Sequence, residues 1–114
     1  MKAGLINEPA FFNSIVMKEF MIVVSLPEVF SPRFLSLIPD QRKTVSALLK
    51  EGIIICYALS LERSKLWITM SAEDIEDVQK QLNKFPLARY MKSDIIELMF
   101  QQSATFILPE PSLN

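Results

Sequence analysis

The sequence IIICYALSLERSKLWITM occupies residues 53–70 and contains two alternating apolar runs around a short polar segment. Alternation with a period of two is typical of β-strands, in which successive side chains point to opposite faces. We therefore expect a strand over 53–61, a connection at 62–64 and a second strand over 65–70, which together form a β-hairpin.

Alternation also assigns the side chains of this hairpin to faces. Tyr57 and Leu59 fall on one face of the first strand, and Cys56 falls on the other. Because no adjacent base is available to activate its thiol, we interpret Cys56 as a small core residue. In the second strand, Trp67 points away from Leu66 and so lies on the open side of the sheet if Leu66 packs on helices.

The segment before the hairpin predicts one strand and one helix. Residues 19–25 are β-branched and aromatic, as in a central strand. Ser31 then precedes a proline, as at a helix N-terminus, and the apolar spacing predicts a helix over 32–50. Pro39 lies within that pattern, so we expect a kink or a restart with Asp40 as the cap.

The segment after the hairpin predicts a second helix and a last strand. Residues 71–74 read SAED, which matches a capping box, and Phe85-Pro86 ends the helix that follows. A strand is expected over 92–100. The order β-α-β-β-α-β, with right-handed crossovers, predicts an α+β, ferredoxin-like fold: a four-stranded antiparallel sheet with two helices on one face.

Composition excludes several classes of protein. The chain has 114 residues, a formal net charge of -1, no histidine and one cysteine. The near-neutral charge argues against nucleic-acid binding. The missing histidine excludes the usual zinc sites and Ser-His or Cys-His pairs. Its apolar runs are too short to span a membrane, so we expect a cytoplasmic protein without membrane contact.

The folded part of the chain is expected to be shorter than the whole sequence. We place one domain at residues 18–102, an N-terminal extension at 1–17 and a C-terminal tail at 103–114. Because 50% of the residues are hydrophobic, the sheet face without helices is too apolar to remain in water. A homodimer packed sheet against sheet is the expected outcome.

The sequence Phe85-Pro86-Leu87-Ala88-Arg89-Tyr90-Met91, followed by Ile95-Ile96-Glu97-Leu98, resembles the muconolactone isomerase family. The likeness covers roughly residues 20–100. It implies a dimeric α+β barrel, with ferredoxin-like protomers that pair through their sheets and often form larger rings of dimers. It further implies a double-bond shift in a small lactone without metal or cofactor.

Such an isomerisation needs a base and a donor or cation for the developing oxyanion. Glu97 is the candidate catalytic base, since it shares a strand face with Ile95 and Met99, and apolar surroundings would raise the pKa of its carboxyl group. The alternative is that Glu97 points outward on an edge strand or pairs with a lysine.

Four further residues are candidates for ligand binding, each with a structural alternative. Tyr57 and Tyr90 could donate hydrogen bonds to a ligand carbonyl or serve as core or interface tyrosines. Trp67 could contact either a ligand or a dimer partner. Arg63 could bind a carboxylate through two hydrogen bonds or remain solvated.

These residues leave more than one function open. The first is a cofactor-free isomerase acting on a small lactone or carbonyl compound. The second is a non-catalytic module of the dimeric α+β barrel type that binds a small molecule or serves oligomerisation. A relative of cofactor-independent monooxygenases or dechlorinases on the same fold is a third.

Overall fold

A computed structural model of the chain describes residues 16–102 and 104. Most of the expected N-terminal extension 1–17 and C-terminal tail 103–114 therefore lies outside the described residues. The elements in chain order are β1 (Lys18–Ser25), α1 (Pro32–Lys50), β2 (Ile54–Leu59), β3 (Lys65–Ala72), α2 (Ile75–Leu82), a 3-10 turn (Ala88–Tyr90) and β4 (Lys92–Leu98).

The four strands of the described part form one antiparallel sheet in the order β2-β3-β1-β4. In the centre of the sheet, Ile22 pairs with Ile68 on one side and Ile95 on the other. Directly paired residues share a face, and Ile22 and Ile68 are fully buried beneath the helices. The predicted element order and the ferredoxin-like fold class are confirmed.

Helix α1 begins where the sequence predicts. The Ser31 side chain accepts a hydrogen bond from the Phe34 N–H at 3.1 Å, and a proline occupies the first turn. The expected restart at Pro39 is wrong, because one helix continues through this residue to Lys50. The missing N–H of Pro39 costs a single backbone hydrogen bond, which the buried face of the helix outweighs. Gly52, with φ of 78°, takes the left-handed conformation that follows the helix.

Strand β2 contains an irregularity that alternation does not predict. The pairing with β3 shifts between Ile54 and Cys56, so Ile55 bulges out of the register. Ile54 is consequently buried on the same side as Tyr57 and Leu59, which pair with buried residues of β3. Cys56 is exposed, so the prediction of a core cysteine is wrong.

The cap of α2 lies three residues later than the sequence pattern suggests. Ser71 belongs to β3 and pairs with Glu19. Asp74 caps the helix instead, accepting from the Asp77 N–H at 2.8 Å. The Asp77 carboxylate in turn accepts from the Glu73 N–H at 3.1 Å. The strand continues because its backbone groups still have partners in the sheet, which leaves Ser71 unavailable as a cap.

The second face of the sheet carries Trp67, Val23 and Ile96. Val23 of β1 pairs with Trp67 of β3, and Ile96 of β4 pairs with Met21, which shares the face of Val23. Trp67 is 40% exposed and Ile96 is 52% exposed, since no described element covers this face. We call this surface the open face. The predicted orientation of Trp67 away from Leu66 is confirmed.

Among the helices of residues 16–102, none combines the length and the apolar character that crossing a bilayer requires.

Candidate functional site

A cavity of about 420 Å³ lies between α1, the β2–β3 hairpin and the segment that precedes β4. Its walls are largely apolar, whereas four polar side chains also reach it. The apolar residues are Leu26, Phe30, Phe34, Leu35, Ile38, Leu59, Leu66, Leu87 and Met91, and the polar residues are Gln41, Arg42, Tyr57 and Arg63. A mostly apolar cavity with a few convergent polar groups is the usual form of a small-molecule site.

The innermost polar groups of this cavity form a short hydrogen-bond chain. The backbone N–H of Leu87 donates to Gln41 Oε1 at 3.1 Å, and Gln41 Nε2 donates to the Tyr57 hydroxyl at 3.2 Å. Gln41 is only 5% exposed although it is polar. Its amide thus connects helix α1 to strand β2 and to the turn before β4.

Burial raises the pKa of the Tyr57 hydroxyl above its ordinary value of 10.0, and the Gln41 hydrogen bond partly offsets that rise. Desolvation disfavours the charged phenolate. Tyr57 therefore remains protonated at neutral pH and presents a hydrogen-bond donor rather than a base.

One wall of the cavity is stiffened by aromatic packing. The Phe30 and Phe34 rings stack with centroids 4.0 Å apart. The Phe34 and Tyr90 rings form a T-shaped pair with centroids 5.3 Å apart. Tyr90 also carries the Arg89 guanidinium over its ring, 5.8 Å from the centroid. Tyr90 is thus placed behind a lining residue and not in the lining itself.

Two arginines border the cavity from different elements. Arg42 projects from α1, whereas Arg63 lies in the β2–β3 connection with a left-handed backbone, φ of 65°. That turn is held by the Ser60 hydroxyl, which accepts from the N–H groups of Ser64 and Lys65, each at 3.0 Å. Both guanidiniums are exposed and, within residues 16–102 and 104, neither forms an ion pair with a carboxylate.

Glu97 lies outside the cavity, on the edge strand β4. Its side chain is 49% exposed, and its carboxylate is 3.8 Å from Lys18 Nζ. The apolar enclosure expected from its shared face with Ile95 is not found, because β4 is an edge strand and half of the Glu97 side chain lies in solvent. Pairing with a lysine on an edge strand is the alternative that the sequence left open; its role as a base stays a prediction.

The structure brings Tyr57 and Arg63 together at one cavity, places Tyr90 behind its wall, and leaves Trp67 on the open face. Gln41 was missed from the sequence. Its position in the sequence could have identified it. Gln41 is a polar residue in the apolar stripe of α1, between Ile38 and Val45, where an apolar side chain is expected.

Ligands for a metal ion are not grouped in the described part of the chain. Among residues 16–102 and 104, no three histidine, cysteine, aspartate or glutamate side chains form a cluster that could hold one. The described residues that line the cavity include no carboxylate.

The strand order β2-β3-β1-β4, with both helices on one face, defines a ferredoxin-like α+β protein. The fold is shared with muconolactone isomerase. The chain superposes on the crystal structure of that enzyme with a TM-score of 0.62 and 18% sequence identity, over 81% of this chain and 99% of the other. At this identity the likeness concerns the fold, and for the fold the resemblance predicted from residues 85–98 is confirmed.

A second solved structure, of the protein PH0061, matches with a TM-score of 0.39 and 13% identity over 93% of this chain and 66% of that chain. No protein-family model and no curated protein sequence matches the chain.

Proposed function

We propose that the chain binds a small, largely apolar carbonyl compound, such as a lactone, in the cavity beneath α1. The observation that carries this proposal is the cavity itself, in which apolar walls surround the protonated Tyr57 hydroxyl. A ligand ring would fill the apolar volume while its carbonyl oxygen accepts from Tyr57. Muconolactone isomerase, which has the same fold, is named for a lactone substrate.

Filling the cavity tests the proposal. Leu59 lines the cavity and Leu61, in the same hairpin, is fully exposed outside it. We expect Leu59→Trp to weaken binding of a phenyl-substituted butenolide, a five-membered unsaturated lactone, at least about tenfold, since an indole occupies much of the free volume. Leu61→Trp is the matched control and should bind like the unmodified protein.

Titration followed by NMR chemical shifts measures both variants. The shifts of the unmodified protein should cluster at Tyr57, Leu87 and Met91, which surround the cavity. Shifts confined to the open face, or equal affinities in the two tryptophan variants, would contradict a site beneath α1.

A second candidate function is cofactor-free isomerisation of such a lactone, with Glu97 as the base. The Tyr57 hydroxyl favours it, because a buried donor can stabilise the oxyanion that forms when a proton leaves carbon. The position of Glu97 at the surface, and a lining without a carboxylate among its described residues, favour binding without catalysis.

Turnover of a butenolide by matched variants separates these functions. An isomerase with this base should lose about a hundredfold or more of its rate in Glu97→Gln and keep its rate in Glu51→Gln, which alters an exposed carboxylate beyond α1. Equal rates in both variants would remove Glu97 from the mechanism.

The proposed state of the protein is a cytoplasmic homodimer joined through the open face, with rings of dimers as the larger assembly. The half-exposed Trp67 and Ile96 support this arrangement, since burying them against a second sheet removes apolar area from water.

Light scattering should give twice the chain mass for the unmodified protein, or a multiple of that mass where the dimers form rings. Trp67→Asp should convert it to monomer, whereas Leu49→Asp, at a residue with similar exposure on α1, should not. A monomer before any substitution would contradict the proposal.

A further inference from the structure

The direction of the hydrogen bonds around Gln41 is determined by its backbone partner. An N–H can only donate, so the group of Gln41 that faces Leu87 must be its carbonyl oxygen, Oε1. The amide nitrogen then faces Tyr57 and can only donate to the Tyr57 oxygen. The glutamine side chain is therefore held in one orientation.

This orientation leaves the Tyr57 hydrogen free. Because the Tyr57 oxygen accepts from Gln41, its own O–H has to point elsewhere. Among the described residues the hydroxyl makes no other hydrogen bond, and Tyr57 lines the cavity. A half-buried donor without an acceptor is costly unless a ligand or water supplies one.

Two further features of the cavity favour a ligand that accepts the Tyr57 hydrogen. Among the described residues, the lining includes no carboxylate that could accept the Tyr57 hydrogen, and Arg42 and Arg63 add only donors. Burial also keeps the phenol in its protonated form. Every titratable or charged side chain that the structure describes at the cavity thus offers hydrogen to a ligand.

We propose that Gln41 is a positioning residue that fixes the Tyr57 hydroxyl as a donor into the cavity, so that the site selects ligands bearing an acceptor oxygen over hydrocarbons of the same shape. This inference rests on the proposed binding function and adds a determinant of specificity to it. The acceptor is a carbonyl oxygen, which a hydroxyl donor in a largely apolar cavity binds with less competition from water than in bulk solvent.

A matched pair of probes measures the selection. Phenylbutenolide and phenylcyclopentene have nearly the same shape, but only the first has a carbonyl oxygen. We expect the unmodified protein to bind the lactone about tenfold more tightly than the hydrocarbon after correction for their different transfer from water. Tyr57→Phe should remove that preference.

Gln41→Glu reverses the bond without changing the shape of the side chain. The new carboxylate still accepts from the Leu87 N–H, but it also accepts from Tyr57, which turns the hydroxyl away from the ligand. At about pH 9 a buried carboxylate is ionised, while Tyr57, whose pKa lies above 10.0, stays protonated. The preference should fall to that of Tyr57→Phe, and Gln102→Glu, at an exposed position, should retain the full preference.

The ratio of the two affinities separates positioning from simple structural support, because a loosened cavity weakens both probes together. If Gln41→Glu does not fold, as judged by circular dichroism, Gln41→Met serves instead: it releases the hydroxyl to rotate, and the preference should drop at least about threefold. A full preference in the folded Gln41 variant overturns the inference. Failure of both probes to bind the unmodified protein overturns the proposed binding function as well, whereas equal binding of both probes overturns the inference alone.

Discussion

The two halves of the sheet face beneath the helices differ in how completely side chains fill the space. At the end near α2, Phe20, Met70, Ala72 and Val78 are all 0% exposed. We call this group the sealed half. Beneath α1, the cavity half keeps about 420 Å³ open next to a buried glutamine.

The difference is typical of a core in which one part serves stability and another part leaves room for a ligand. A well-packed interior excludes both voids and polar atoms, because each lowers stability. The cavity half contains both: Gln41 is buried, and Leu59 is left 52% exposed beside the free volume. Such local departures from good packing are expected where a protein binds a ligand.

The largest expected effect is a difference in stability between two variants, each with one side chain truncated in one of the halves. Met70→Ala leaves a void in the sealed half and should lower the free energy of unfolding by about 2–5 kcal/mol. Leu59→Ala removes a half-exposed wall residue and should cost less than about 1 kcal/mol. Urea denaturation at one fixed protein concentration measures both. Equal losses would show that the two halves are packed alike.

A smaller effect concerns the buried polar groups. Gln41→Leu leaves the buried Leu87 N–H without an acceptor and should destabilise the protein by about 1–3 kcal/mol. Thr69→Val is the matched control, since Thr69 is equally buried but its hydroxyl has only a weak partner, Met21 Sδ at 4.0 Å. It should change stability by less than about 1 kcal/mol. A larger loss in Thr69→Val would place the important polar contact on the open face instead.

The fold could be predicted from the sequence because each element has a periodic signal of its own. The hairpin over 53–70 alternates, and α1 repeats its apolar residues at helical spacing. The errors arose where a backbone contact overrode the pattern. The bulge at Ile55 moved Ile54 to the buried face of β2, and continued pairing of Ser71 in β3 moved the helix cap to Asp74. Cys56 kept its predicted side of β2, but that side is the one without helices.

The candidate site was only partly predictable, for a physical reason. Tyr57 and Arg63 are chemically distinctive residues within one hairpin, so both could be named from the sequence as candidate ligand contacts. Gln41 meets them only through the tertiary contact between α1, β2 and the Leu87 turn, which local spacing does not encode. The apolar neighbours of Glu97 in sequence predicted an apolar environment for its carboxylate. In the structure the carboxylate lies at the surface, near Lys18.

The smallest effect tests whether Tyr57 belongs to the buried interior of the cavity half. Its pKa is raised above 10.0 in the folded protein by burial, so the folded state holds the phenolic proton more tightly than the unfolded state does. This contribution to stability is fully present below pH 10.0, the ordinary value, and is lost as the pH rises through the higher folded value. The unmodified protein should therefore lose stability in strongly alkaline solution more steeply than Tyr57→Phe, which has no proton to release there. Tyr90→Phe keeps Tyr57 and is the matched control for removing a phenol elsewhere in the chain. Parallel stability curves for the unmodified protein and Tyr57→Phe would mean that water reaches the Tyr57 hydroxyl freely. The cavity half would then be an open, hydrated groove and not part of the buried interior.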